Sequence, residues 1–159
     1  MPIEDTGSKP DFSDEEKKAI KDSWSGVYSE YESASSEILI KFFVDNPSAQ
    51  DFFPKFKDLD SEEKLKNSTA VRWHAERIIN AVNDVIWLLD EPEKNAKNLK
   101  ELSEKHAVQL NVDAKFFKVL AELILDKVAE KSGDSFSDSA RSAWEKLLTY
   151  ICISLKVAY

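Results

Sequence analysis

The chain is poor in residues that cross-link, break or kink a backbone. Cys152 is its one cysteine, which excludes a disulfide within the chain and a zinc site built from thiolates. It lies in the apolar run Tyr150-Ile151-Cys152-Ile153 and reads as a buried, inert thiol. Three glycines and five prolines among 159 residues leave room for long helices, so the composition leans all-α. Basic residues number 22 against 30 acidic ones. The net charge of −8 argues against nucleic acid or an anionic membrane as the main partner. No apolar run approaches a membrane span. The opening, Met1-Pro2-Ile3-Glu4-Asp5, has neither the basic nor the apolar region of a secretion signal, and the expected location is cytoplasmic. Glycine-rich phosphate loops, a nucleophile elbow and a distinct carboxylate pair are also missing.

What is present is helical periodicity. Residues 1–12 read as a poorly periodic leader and 13–159 as a single domain, large enough to bury about two-thirds of its unfolded surface. Ser13-Asp14-Glu15-Glu16 is a capping box opening a helix with Ile20, Trp24, Val27 and Tyr28 on its buried face. A second helix carries Ile38, Leu39, Phe42 and Phe43 and stops at Asn46-Pro47, where Pro47 suits the first turn of a short new helix. Phe52-Phe53-Pro54-Lys55-Phe56 makes a rigid apolar corner, either a core plug or the wall of a cofactor pocket. The acids of Asp60-Ser61-Glu62-Glu63 begin a long helix predicted to run to about Asp90. Pro92 starts the next helix, which Asn111-Val112-Asp113 breaks. A helix through Phe116, Phe117, Leu120, Leu123, Ile124 and Val128 follows, then a loop at Ser132-Gly133-Asp134. Ser137 or Asp138 caps a last helix through Trp144, Leu147, Leu148, Ile151, Leu155 and Tyr159. No segment reads as a strand.

The two histidines stand out. His74 lies in the row Ala70, Val71, His74, Ala75, Ile78, Ala81, Val82, Val85, Leu88. His106 lies in the row Leu99, Leu102, His106, Leu110. Both rows have the spacing of one helix face. A lone histidine on such a face is usually a core residue with a backbone partner. Two of them, on helices folding back at Pro92, point both imidazoles at one interior space. That arrangement suits a planar metal cofactor with an axial ligand, haem foremost.

Several strings resemble a globin, and in particular the cyclostome (lamprey-type) haemoglobins. They are Asp51-Phe52-Phe53-Pro54-Lys55-Phe56-Lys57, Val71-Arg72-Trp73-His74-Ala75-Glu76-Arg77-Ile78-Ile79-Asn80, the ending Ile151-Cys152-Ile153 through Ala158-Tyr159, and the leader with Asp5-Thr6-Gly7-Ser8. Trp24, Pro47 and the separations of Phe53, His74 and His106 suit the same pattern. The lysine-, glutamate- and leucine-rich stretches 94–105 and 122–131 depart from it, as does the long stretch 133–141, and fit a divergent natural member or a redesigned one.

The resemblance implies a globin fold, six to eight helices around a pocket for haem b, and reversible binding of O2, CO or NO. A haem enzyme on the same scaffold is the alternative. The resemblance makes His106 the proximal iron ligand and His74 the distal hydrogen-bond donor to the gas. Phe53 and Phe56 would border the porphyrin. Leu39 and Ile78 would wall the distal side, and Leu102, Val112, Phe117 and Leu120 the proximal and inner sides. Arg77, Lys55 and Lys105 are candidates to meet the propionates. Weak self-association, coupled to ligand and favoured by lower pH, is expected through Arg72, Trp73 and Glu76. The cells implied are blood cells.

Overall fold

The computed structural model describes residues 11–106 and 113–156, and every regular element among them is helical. Helix α1 spans Asp14–Tyr28 and α2 spans Tyr31–Asp45. Two 3₁₀ helices, Pro47–Phe52 and Pro54–Phe56, follow. Then come α3 (Glu62–Asn67), α4 (Thr69–Trp87) and α5 (Pro92–Glu104). The chain continues through α6 (Lys115–Ser132), a 3₁₀ turn at Gly133–Ser135, and α7 (Asp138–Lys156).

Local chemistry explains the boundaries. The Ser13 hydroxyl accepts from Glu16 N at 3.1 Å while Glu16 Oε1 accepts from Ser13 N at 2.9 Å, which closes the expected capping box. Pro47 and Pro92 occupy first turns, where a missing N–H costs nothing. Ser137 accepts from Ala140 N at 3.1 Å and so caps α7. The loop expected at Ser132-Gly133-Asp134 is instead a 3₁₀ turn, entered through Gly133 at φ +57°, which a side chain would strain.

One expectation fails. The single helix predicted from Asp60 to Asp90 is two helices. The Ser61 hydroxyl caps α3 at Lys64 N, and the Ser68 hydroxyl caps α4 at Val71 N, both at 3.2 Å. Ser68 adopts an extended conformation between them, φ −84° and ψ 118°. A serine can serve a helix interior or start a new one, and here the cap wins.

Two large apolar clusters result. Helices α1, α4, α6 and α7 bury Ile20, Trp24, Ile79, Ile86, Trp144 and Leu147 together. Helices α2, α3, α4 and the 3₁₀ segment bury Leu39, Phe43, Phe56, Leu65, Val71 and Ala75. A smaller cluster of Phe117, Cys152 and Leu155 joins α6 to α7. Helix α4 packs chiefly on α2, and α5 on α7. The two histidine-bearing helices are thus anchored on different partners. Phe12, at the end of the predicted leader, packs against the first cluster beneath Lys146. Lys146 also binds the Asp11 carbonyl and Glu16.

Candidate functional site

Helix α4 places its buried row, Val71, Ala75, Ile79, Val82 and Ile86, against α2 and α1. His74 and Ile78 sit one position to the side of that row and are half-buried. They therefore lie at the edge of the core rather than within it. The His74 ring meets Phe53 edge-on at 5.1 Å and Phe56 at 5.8 Å between centroids. Phe53 and Phe56 stack on each other at 5.5 Å. Burial first, then the positive charges of Arg77, His106 and Lys105, push His74 down to about 4. Its imidazole is neutral at physiological pH.

His106 lies where α5 ends. Residues 105 and 106 continue the helix in a wider π turn, a deviation often found at functional sites. The His106 Nδ1 lies 2.8 Å from the Leu102 carbonyl, so Nδ1–H donates there and the lone pair sits on Nε2. Its ring meets Phe117 edge-on at 5.5 Å. Desolvation lowers its pKa, opposed by the Leu102 bond, and this ring too is held toward the neutral form.

This donor set fits haem. An imidazole that ligates through one nitrogen donates its other N–H to a fixed acceptor, and the Leu102 carbonyl is such an acceptor. The second imidazole, His74, is neutral and set among phenylalanine rings.

The remaining predicted residues are distributed around these two. Leu39, Ile78 and Leu120 line one small apolar cavity with Ser35, Ala75 and Ile124. Leu102 packs on the cluster of Phe117 and Cys152. Lys105 is half-buried, and its charge acts on both histidines. Arg77 is exposed, with its guanidinium 4.8 Å from the Trp73 ring. Lys55 is exposed on the phenylalanine corner. Val112 and Leu110 lie outside the described residues. Trp73 is exposed and Glu76 half-buried on the outer face of α4.

Three supporting residues escaped the sequence reading. Gln50 Nε2 donates to the Phe56 and Leu59 carbonyls, each at 2.9 Å, and so shapes the corner carrying Phe53 and Phe56. Asn95 Nδ2 donates to the Val85 carbonyl at 3.0 Å, tying α5 to α4. Ser103 Oγ donates to the Leu155 carbonyl at 2.6 Å, tying α5 to α7. The buried row of α5 is therefore Asn95, Leu99 and Ser103, two-thirds polar, with Leu102 and His106 at its edge. The helical spacing of Asn95, Leu99 and Ser103 was the available signal.

Two half-buried imidazoles in an all-helical fold are a donor set that suits haem. Comparison with known proteins agrees. The Globin family model matches residues 36–155. The chain is 50% identical over 159 residues to Globin-1 of Petromyzon marinus, covering all of both chains. It is equally similar, over the same span, to Globin-3 of Mordacia mordax. It is 36% identical over 148 residues to Cytoglobin-2 of Danio rerio, across 93% of this chain and 83% of the relative. The chain belongs to the globin family. That membership implies a haem protein for small gases. Among the described residues, no helix is long and apolar enough to cross a membrane.

Proposed function

We propose that this chain binds one haem b, with His106 Nε2 as the proximal ligand, and takes up O2 reversibly on the His74 side for transport or storage. The observation that carries the reading is the His106 Nδ1–H bond to the Leu102 carbonyl, which leaves the other ring nitrogen as the donor. When bound, the haem supplies an iron that accepts a diatomic gas and releases it.

The protein's part is positioning and exclusion. The Leu102 carbonyl fixes the His106 tautomer and ring plane. His74, kept neutral by burial, offers an N–H to the partial negative charge on O2, a bond worth on the order of 1–3 kcal/mol. CO and NO would enter the same space. Phe53 and Phe56 orient His74, while Leu39 and Ile78 present apolar surface that keeps bulk water out. Lys105, Arg77 and Lys55 supply cations for the propionates at the rim, and Lys105 is the one whose charge reaches both histidines. The distal wall is apolar apart from His74, which favours a carrier over a haem enzyme. The cytoplasm of blood cells is the compartment that goes with this reading.

Self-association on the outer face of α4 belongs to the same reading. Trp73 is 57% exposed there, beside Arg72 and Glu76. A large exposed indole rimmed by charge marks a contact surface. Sedimentation of the deoxy and CO forms tests it: equal mass in both would remove the coupling.

An absorption spectrum of the purified protein tests the main reading. The ferric, reduced and O2- or CO-exposed forms should show one haem per chain and a reversible change with gas. No haem, or a reduced spectrum that gas leaves unchanged, would overturn it.

A further inference from the structure

Away from both histidines, four oxidisable rings form a line from the deepest core to the surface. Trp144, fully buried, lies 5.6 Å from Trp24 between centroids. Trp24 lies 6.1 Å from Tyr28, and Tyr28 stacks on Tyr31 at 5.4 Å and 23°. Tyr31 opens α2 and is half-exposed. Indole and phenol are the side chains most readily oxidised by one electron without sulfur. Rings in van der Waals contact exchange an electron readily.

The hydrogen bonds give the line a direction. The Trp144 N–H donates to Ser23 Oγ at 2.7 Å, and the Trp24 N–H to Asn83 Oδ1 at 2.9 Å. Tyr28 donates to Asn80 Oδ1 at 2.6 Å. A hydroxyl and two amides are poor bases, so an oxidised indole keeps its proton and stays a strong oxidant. Tyr31 differs, because it is the ring nearest solvent and the neighbouring Glu32 carboxylate, whose charge reaches its phenol, is a base that can receive the proton. The negative charges of Glu32 and Glu76 near this phenol also favour removal of an electron.

We propose that Trp144, Trp24, Tyr28 and Tyr31 form a one-electron relay that moves oxidative damage from the core to Tyr31 at the surface. A peroxide-derived one-electron oxidant removes an electron from Trp24 or Trp144, leaving an indole radical cation. Tyr31 then loses its phenolic proton to Glu32, and one electron passes through Tyr28 to restore the indole. The Tyr31 phenoxyl radical takes one electron and one proton from a small soluble reductant, a thiol or an ene-diol, which is oxidised in turn. The relay protects the buried indoles by leaving the radical where a reductant can meet it.

The test is flash photoionisation of the indoles in the intact, haem-loaded chain. It is done in a W73F/W87F background, so that Trp24 and Trp144 are the indoles ionised. The indole radical absorption should decay as the phenoxyl absorption grows, at a rate independent of protein concentration. Tyr31→Phe should abolish that phenoxyl product and lengthen the indole radical's life. Glu32→Gln should slow the growth roughly ten-fold, about one decade of rate for the lost base. Circular dichroism of each variant checks that the helices persist, and both changes are conservative and near the surface. Phenoxyl growth that survives Tyr31→Phe would place the radical on Tyr28, Tyr150 or Tyr159 and overturn Tyr31 as the end of the relay. Growth unaffected by Glu32→Gln, or scaling with protein concentration, would overturn it as well.

Discussion

The two histidines are held in opposite ways. His74 sits in the second turn of α4, on a helix packed against α2 and α1, and its ring is positioned by contact with Phe53 and Phe56. Among the described residues, none hydrogen-bonds the His74 ring. His106 sits in a π turn at the end of α5, beyond the last regular turn, and its ring is fixed by the Leu102 carbonyl. A ligand to a metal needs its lone pair aimed, and a hydrogen bond on the far nitrogen aims it. A donor to a gas needs a free N–H, and apolar packing holds the ring without occupying that N–H. The difference in support matches the difference in proposed role.

The comparison breaks most severely at His106. His106→Gly should lose most of the haem that the wild type retains, and added imidazole should restore it. Haem content and the ferrous spectrum measure this. Equal haem content and an unchanged spectrum would remove His106 from the ligand role, and the proximal side would have to be sought elsewhere.

The next effect concerns the packing that holds His74. Gln50→Leu removes two hydrogen bonds from the phenylalanine corner and leaves the Phe56 and Leu59 carbonyls without that donor. The expected cost is about 1–3 kcal/mol of stability, read by chemical denaturation of the haem-loaded protein. Dissociation of O2 should change along with it, because Phe53 and Phe56 lose their fixed geometry. A variant that loses stability with unaltered gas kinetics would separate the corner from the site.

His74 itself should act on the gas and not on the haem. His74→Leu should speed O2 dissociation roughly 10-fold or more, for a lost hydrogen bond of about 1.4 kcal/mol. CO is less polar when bound and should respond less. Rapid-mixing kinetics with both gases decide it, and wild-type rates for both would remove His74 from the distal role.

The helical placement of both histidines was legible in the sequence because helical spacing is a property of residue order alone. The same is true of the Ser13 capping box and of the prolines at 47 and 92, whose effects reach only a few residues. What stayed hidden depends on contacts between distant segments. Gln50 reads as an ordinary polar residue of a short turn until the chain brings two carbonyls to its amide. Asn95 and Ser103 look solvent-facing by type, yet each is buried because it has found a main-chain carbonyl on another helix or turn. The break at Ser68 was missed because the apolar row on its far side suggested continuity, whereas the serine's own hydroxyl favoured a cap. The π turn at His106 has no residue signature of its own.

The smallest predicted effect tests whether the two sides are local to their own helices. Glu16 begins α1, in a capping box remote in sequence from both histidines. The Ser13 N–H bond holds its carboxyl below the usual value of 4.5, aided by the Lys146 ammonium and opposed by partial burial. A carboxyl depressed in the folded state contributes stability that is fully present above its unfolded pKa. That contribution is lost as pH falls through the lower, folded value. Glu16→Gln keeps an oxygen for the Ser13 N–H but removes the charge facing Lys146. The variant should therefore be less stable than the wild type at neutral pH, by roughly half a kcal/mol after solvent screening of a partly exposed pair. The gap should narrow as pH drops below about 4.5, because the wild type then loses the same charge. Denaturation midpoints at neutral and acid pH measure the gap. O2 and CO dissociation should match the wild type, since nothing at the start of α1 touches the rings of His74 or His106. A Glu16→Gln variant with altered gas kinetics would show that the two histidine environments respond to the bundle as a whole, and the contrast between packed and hydrogen-bonded support would lose its local meaning.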